Sequence, residues 1–140
     1  MEGKKYNEYC KLKFEGEYLY GYRLKGKYHL NERLEYEGEY LFDKKYNGKG
    51  YDEHGNIIYE LKNGNGKVKD YDDKGSLIFE GEYLNGLRNG KGKEYHVNGK
   101  LKYEGEYLNG ERNGKGKEYS NRGRFIFESE YLNGERKEKQ

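Results

Sequence analysis

Glutamates two residues apart recur along the chain, among them Glu80 with Glu82 and Glu104 with Glu106, and paired carboxylates are the raw material of general acid-base catalysis. Their recurrence in several copies opposite lysines reads instead as a solvated charged face. Lys91, Lys93, Lys115 and Lys117 lie in "NGKGKEY" strings that are only superficially like a phosphate-cradling loop. That loop needs Gly-x4-Gly-Lys-Ser/Thr between a strand and a helix, and neither the Ser/Thr nor the helix follows. The acidic clusters Asp52-Glu53 and Asp70, Asp72, Asp73 carry hard-cation ligands but do not follow the twelve-residue calcium loop, so solvated turns are expected there. His29, His54 and His96 are widely separated, with neither zinc-ligand spacing nor a nucleophile at readable distance. Cys10, the single cysteine, excludes an intramolecular disulfide and reads as an incidental thiol in the place of a turn glycine. No catalytic residue, metal or cofactor is expected.

What remains is lysine interleaved with aromatic rings, as in Lys91, Lys93, Tyr95 and Lys115, Lys117, Tyr119. Such a stripe suits lipid headgroups or single-stranded nucleic acid, although the interleaved glutamates screen much of its field. With 28 basic against 26 acidic residues and a formal net charge of +2, strong sequence-independent nucleic-acid binding is not expected. There is no apolar run near the length of a membrane span and no apolar core of a signal peptide at "MEGKKYNEYC", so an intracellular, cytoplasmic setting is expected, with membrane association as the variant.

Leu, Ile, Val and Phe make only 24 of 140 residues and 39% are charged, a composition that borders on disorder. Eighteen tyrosines and the near balance of charge argue for folding, because tyrosine rings bury surface where aliphatic side chains are scarce.

The elements that hold these residues come from a repeat. Phe14, Tyr36, Tyr59, Phe79, Tyr103 and Phe127 recur at intervals of 22, 23, 20, 24 and 24 residues, the signature of an array. The units are a half-unit at 1–13, full units at 14–35, 36–58, 59–78, 79–102 and 103–126, and a partial unit at 127–140. Each full unit reads as a hairpin about Asn85-Gly86, Asn109-Gly110 or Asn133-Gly134, since Asn-Gly is the strongest short signal for a type I′ turn. Period-two counting from Asn109-Gly110 sets Tyr107 opposite Arg112, Gly105 opposite Gly114, Glu104 opposite Lys115 and Tyr103 opposite Gly116. In the unit before, it sets Phe79 opposite Gly92 and Glu80 opposite Lys91. Tyr103, Gly105, Tyr107, Gly114 and Gly116 then share one face, and glutamates and lysines share the other.

The glycines, Gly81, Gly86, Gly90 and Gly92 with Gly105, Gly110, Gly114 and Gly116, are read as structural. A strand glycine weakens its strand by roughly 0.5–1 kcal/mol, so its recurrence implies a close approach, here by the rings. The same counting puts Glu94 and Glu118 on the aromatic face. A bulge is expected to reverse this and turn Tyr95 and Tyr119 inward. The fold expected is all-β, an elongated, nearly single-layer antiparallel meander of stacked hairpins, with helix conceivable only in the tail "ERKEKQ".

The string "YEGEYLNGERNGKGKEYSNRGRFI" resembles the MORN (membrane occupation and recognition nexus) repeat in Tyr103, Gly105, Gly110, Gly114 and Gly116, and so do Phe79, Gly81, Gly86, Gly90 and Gly92. It is also similar to the repeats that precede the catalytic domain of SET-type histone-lysine methyltransferases and to bacterial MORN-variant proteins suggested as antitoxins. The resemblance implies a β-meander used for scaffolding, self-association or membrane contact, and a stand-alone array. A non-enzymatic protein-interaction or scaffold module is therefore expected. Its partner is a protein, with a second copy or an anionic membrane surface as further partner classes, and a phospholipid binder or an antitoxin-like inhibitor as the other readings. Candidate binding residues are Tyr83, Tyr103, Tyr107 and Tyr131 on the rings' side, with Lys91, Lys93, Lys115 and Lys117. Departures from the pattern cluster in the N-terminal half: Phe42-Asp43 replaces a turn, and "YELKNGNGKVKDY" is about four residues short, with Val68 for a glycine.

Overall fold

The computed structural model describes residues 1–6, 12–30 and 32–137, and among these the regular structure is all strand. Cys10 and the end of the tail lie outside the described residues. The start of that tail, expected as the one place for helix, is strand instead at Glu135–Arg136.

Six strands form one antiparallel sheet in chain order: β1 (Glu2–Tyr6), β2 (Leu12–Leu19), β3 (Tyr22–Leu30), β4 (Arg33–Leu41), β5 (Lys44–Tyr51) and β6 (Ile57–Leu61). Seven form a second: β7 (Gly66–Tyr71), β8 (Leu77–Leu84), β9 (Leu87–Tyr95), β10 (Leu101–Leu108), β11 (Glu111–Tyr119), β12 (Phe125–Leu132) and β13 (Glu135–Arg136). Consecutive strands are neighbours throughout each sheet, so the meander is as expected.

Its continuity is not, because the sheet divides between β6 and β7, which share only an isolated bridge from Lys62 to Asn65. The cause is local. At the centre of the other hairpins two glycines face each other, Gly16 with Gly26, Gly38 with Gly48, Gly81 with Gly92 and Gly105 with Gly116. A Cβ on Gly105 would lie 2.5 Å from the Lys115 carbonyl oxygen and 2.6 Å from the Gly116 Cα, so the ladder closes there only without side chains. In the short unit Leu61 lies opposite Gly48 and Val68 opposite Gly81. Between them is no glycine pair, the strands part, and both side chains are buried instead.

Two aromatic clusters make the core. Phe14, Tyr36, Tyr40 and Tyr59 pack with Leu61 and Val68, and Phe79, Tyr103, Tyr107 and Tyr131 form the second cluster. Tyr83 touches both. Rings meet edge to face, Phe79 with Tyr107 at 5.2 Å, Tyr107 with Tyr103 at 5.6 Å and Tyr103 with Tyr131 at 5.3 Å, the arrangement the ring quadrupole favours. The glycines do admit these rings: a Cβ on Gly116 would meet the Tyr103 ring at 2.3 Å.

Two expectations of register are corrected. Gly105 faces Gly116 rather than Gly114, Glu104 faces Lys117 rather than Lys115, and Tyr103 faces Glu118 rather than Gly116. In the preceding unit Phe79 likewise faces Glu94, and Glu80 faces Lys93. The shift arises at Gly114, whose φ of +94° makes a bulge stabilised by the Lys115 N–H donating to Glu106 Oε2 at 2.8 Å. Because the offset is two residues, Tyr103, Gly105, Tyr107 and Gly116 keep their expected face, whereas Gly114, at the bulge, is turned toward Glu106.

Glu94 and Glu118 do lie on the aromatic face, and Tyr95 and Tyr119 lie outside. The bulge expected in their own strands falls in the facing ones, at Lys102 opposite Glu94 and Tyr95 and at Ile126 opposite Glu118 and Tyr119. These half-buried carboxylates are tolerated because hydroxyls and an arginine satisfy them.

Hairpin tips stack through a second ladder. Asn85, Asn109 and Asn133 have φ of +52°, +51° and +51°, as a type I′ turn requires. The Asn109 N–H donates to Asn89 Oδ1, and the Asn133 N–H to Asn113 Oδ1. The Gly110 N–H donates to the Arg88 carbonyl at 2.8 Å and the Gly134 N–H to that of Arg112 at 2.9 Å. This ladder explains the second Asn-Gly of the units at 79–102 and 103–126, Asn89-Gly90 and Asn113-Gly114, which supplies the acceptor amide and the bulge. Asp52 and Asp72 serve turns as expected, Asp52 Oδ1 accepting from the N–H of His54 and Asn56 and Asp72 Oδ1 from Lys74 and Ser76, whereas Asp70 is a half-buried strand residue that accepts from the Tyr83 hydroxyl and meets Arg88.

Candidate functional site

On the face away from the rings, each of β7 to β12 carries two like charges around a central residue. β7 has Lys67 and Lys69, β8 has Glu80 and Glu82, β9 has Lys91 and Lys93, and β10 to β12 continue the alternation to Glu128 and Glu130. Strand geometry dictates this, since residues i and i+2 stand on one face while the residue between them points to the other. The side chains wall a groove of about 830 Å³ whose floor is the backbone of Gly81, Gly92, Gly105 and Gly116. A smaller groove of about 510 Å³ crosses the N-terminal sheet over Gly3, Gly16, Gly26 and Gly38.

The two signs are not equally free. Glu82 Oε2 accepts the Lys91 N–H at 2.6 Å, Glu106 Oε2 accepts the Lys115 N–H, Glu80 accepts the Tyr95 hydroxyl and Glu104 Oε1 accepts that of Tyr119 at 2.7 Å. That last hydrogen bond, aided by burial, raises the Tyr119 hydroxyl above its ordinary pKa. The ammonium groups of Lys67, Lys69, Lys91, Lys93, Lys115 and Lys117 make no ion pair, hydrogen bond or ring contact with any described residue. In the N-terminal groove Lys4 meets Glu15 at 4.0 Å and Lys27 meets Glu37 at 3.9 Å.

The candidate tyrosines are elsewhere. Tyr103, Tyr107 and Tyr131 are buried and Tyr83 is half-buried, all on the core side of the sheet. The structure brings the four candidate lysines together and separates them from the rings. Tyr107 donates to Glu94 Oε2 at 2.5 Å, Tyr83 to Asp70 Oδ2 and Tyr131 to Glu118. Arg112 Nε donates to Glu94 Oε2 at 2.8 Å while its guanidinium lies 4.1 Å from the Tyr103 ring centroid. Burial pushes the Glu94 carboxyl up, but the hydrogen bonds from Arg112 and Tyr107 outweigh it and hold the group below its ordinary 4.5. Burial raises Tyr103 to about 12, so its hydroxyl stays protonated and donates weakly to the Glu106 carbonyl at 3.3 Å. This side of the sheet is a core with satisfied polar groups.

The arginines are functional parts of the fold that the repeat pattern contained unread. A cation stands nine residues after the unit aromatic in Arg23, Lys45, Arg88, Arg112 and Arg136, and each lies over that aromatic ring, Arg88 at 4.0 Å from Phe79 and Arg136 at 4.2 Å from Phe127. The spacing was visible in "GLRNG" and "GERNG". The Phe42-Asp43 turn is where the sequence put it, and with Tyr20 it forms the hairpin tips of the N-terminal sheet: Tyr20 and Phe42, 92% and 74% exposed, hold φ of +50° and +49°.

Residues 79–100 and 103–124 match the MORN repeat family model. No curated protein matches the chain. MORN repeats point to a protein or membrane interaction module and are generally non-enzymatic.

Proposed function

The chain carries MORN repeats, and from that premise we propose that it is a non-enzymatic interaction module that holds an extended segment of a partner protein in the groove over β7 to β12. The observation that carries this is the groove itself: a glycine backbone floor flanked by side chains, two of which per lysine strand have no partner of their own. Residues i and i+2 of a strand stand about 7 Å apart, room for one extended chain rather than for a helix of 10–12 Å diameter. Alternating lysine and glutamate strands favour such a segment over a flat anionic bilayer, which would meet both signs together. The glutamate pairs serve bulge amides and tyrosine hydroxyls, an occupation that supports a binding rather than a catalytic role.

Panning a displayed library of extended peptides against the full chain tests this. Recovered peptides are expected to lose binding when Lys93 and Lys117 are changed to Gln and to keep it when Tyr20 and Phe42 are changed to Ala. The reverse pattern would place the site on the N-terminal hairpin tips and overturn the reading.

A further inference from the structure

We infer that the occupant of this groove is an acidic segment of a partner protein with a carboxylate at every third residue. The inference rests on the groove reading above and adds the sign and spacing of the ligand. The sign follows from which charges are spent. Glu80, Glu82, Glu104 and Glu106 already accept a hydrogen bond from the chain, two from bulge amides and two from tyrosine hydroxyls. The six lysines of β7, β9 and β11 face glutamates across the ladder, yet none pairs with a described carboxylate. A segment that brings carboxylates therefore finds unsatisfied ammonium groups, while one that brings cations finds carboxylates already in use.

The spacing follows from the sheet. Strands lie about 4.8 Å apart, so lysine strands recur every ~9.6 Å along the groove. Three residues of a polyproline II chain cover about 9.3 Å and complete one turn, so every third side chain returns to the same face, whereas a β-strand would turn every second one of them away. A carboxylate at positions 1, 4 and 7 then meets β7, β9 and β11 in turn, each time between two lysines, and the residues between pass over the glutamate strands without charge. Acid at every second residue falls out of step within one repeat.

The test uses the full chain and fluorescent ten-residue peptides of one length and one set of uncharged residues. One has Glu at every third residue, one has the same glutamates clustered, and one has Lys at every third residue. The spaced acidic peptide is expected to bind about tenfold or more tightly than the other two, with affinity that falls as salt is raised. Lys93→Gln with Lys117→Gln is expected to remove that advantage, with an unchanged thermal melt showing that the fold is kept. In the chain with Lys93→Glu and Lys117→Glu, a peptide with Lys at the matching positions is expected to regain the lost affinity. Equal binding of spaced and clustered acid, or tighter binding of the basic peptide, overturns the inference while leaving the groove reading intact. An oligonucleotide or an anionic vesicle bound as tightly as the spaced peptide also overturns it. Failure of every peptide to bind overturns the groove reading and the inference together.

Discussion

The six-stranded and seven-stranded sheets are built from one repeat and use their charges differently. In the N-terminal sheet Arg23 over its ring is tied to the next hairpin tip, its Nε donating to Asp43 Oδ1 at 2.7 Å, while Lys45 reaches Glu35 one unit back, and the groove lysines Lys4 and Lys27 pair with groove glutamates. In the C-terminal sheet the corresponding Arg112 reaches a carboxylate one unit back, Glu94, and the groove lysines are left over. The tips differ in the same sense. Asn109 and Asn133 are hydrogen-bonded to the hairpin before them, whereas Tyr20 and Phe42 stand out with positive φ. A regular unit satisfies its own scaffold from the aromatic side and leaves the other side's lysines available. An irregular one spends some of its lysines, Lys4 and Lys27, on its own glutamates.

The largest effect should come from giving the C-terminal sheet the defect that separates the two. Gly105→Leu with Gly116→Val reproduces Leu61 and Val68 inside a ladder whose Tyr103 ring leaves no room, and the expected cost is about 4 kcal/mol or more in urea unfolding. Stability within 1 kcal/mol of the parent, an amount about as small as a tolerated surface change, would detach sheet continuity from the glycine pairs.

Next in size is loss of the ring-bound cation. Arg112→Ala strands the Glu94 carboxylate and should cost about 3 kcal/mol. Lys45→Ala should cost at least as much, because Glu35, held by Lys45 at 3.0 Å and by the Tyr59 hydroxyl, is only 3% exposed. If Arg112→Ala proves neutral, the cation is packing surface and no more.

Acid should act on the C-terminal sheet through Glu94. Its folded pKa lies below 4.5, so the unfolded chain takes up the proton first as pH falls. The contribution of Glu94 is complete above about pH 4.5 and is lost as pH drops through the lowered folded value. A Glu94→Gln variant should show a shallower loss of stability over that window than the parent; an identical slope would remove Glu94 from the acid response.

The smallest effect should be a gain. Tyr20→Asn and Phe42→Asn give the N-terminal tips the residue that tolerates positive φ, and each should stabilise by about 0.5–1 kcal/mol, read as a rise in thermal midpoint. A loss instead would show that the exposed rings contribute contacts to the fold.

Much of this architecture was legible because it is periodic. Asn-Gly fixed the tips at Asn85, Asn109 and Asn133, and alternation fixed which residues share a face, so Tyr103, Gly105 and Tyr107 were placed together correctly. The facing partners were not legible. Counting by two cannot see Gly114, where positive φ admits two extra residues without disturbing the alternation. Glu94 was misread for a different reason: a carboxylate on an aromatic face looks prohibitive until its partners Tyr107 and Arg112 are known, and these lie 13 and 18 residues away in the next hairpin. The break between sheets could have been read from Leu61 and Val68, had the facing of glycines been recognised as the condition for closing a ladder. For the site, the lysines were legible as a cluster. The tyrosines chosen with them were not separable from a surface until the core was seen, because a buried and an exposed tyrosine repeat alike.

The most direct test of the difference between the sheets is an amide chemical-shift titration of the full chain with the peptide that carries Glu at every third residue. Perturbation confined to the floor and flanks of the C-terminal groove, at Gly81, Gly92, Gly105, Gly116 and the lysines beside them, is the predicted result. Shifts centred on the N-terminal sheet or on the Tyr20 and Phe42 tips would contradict it.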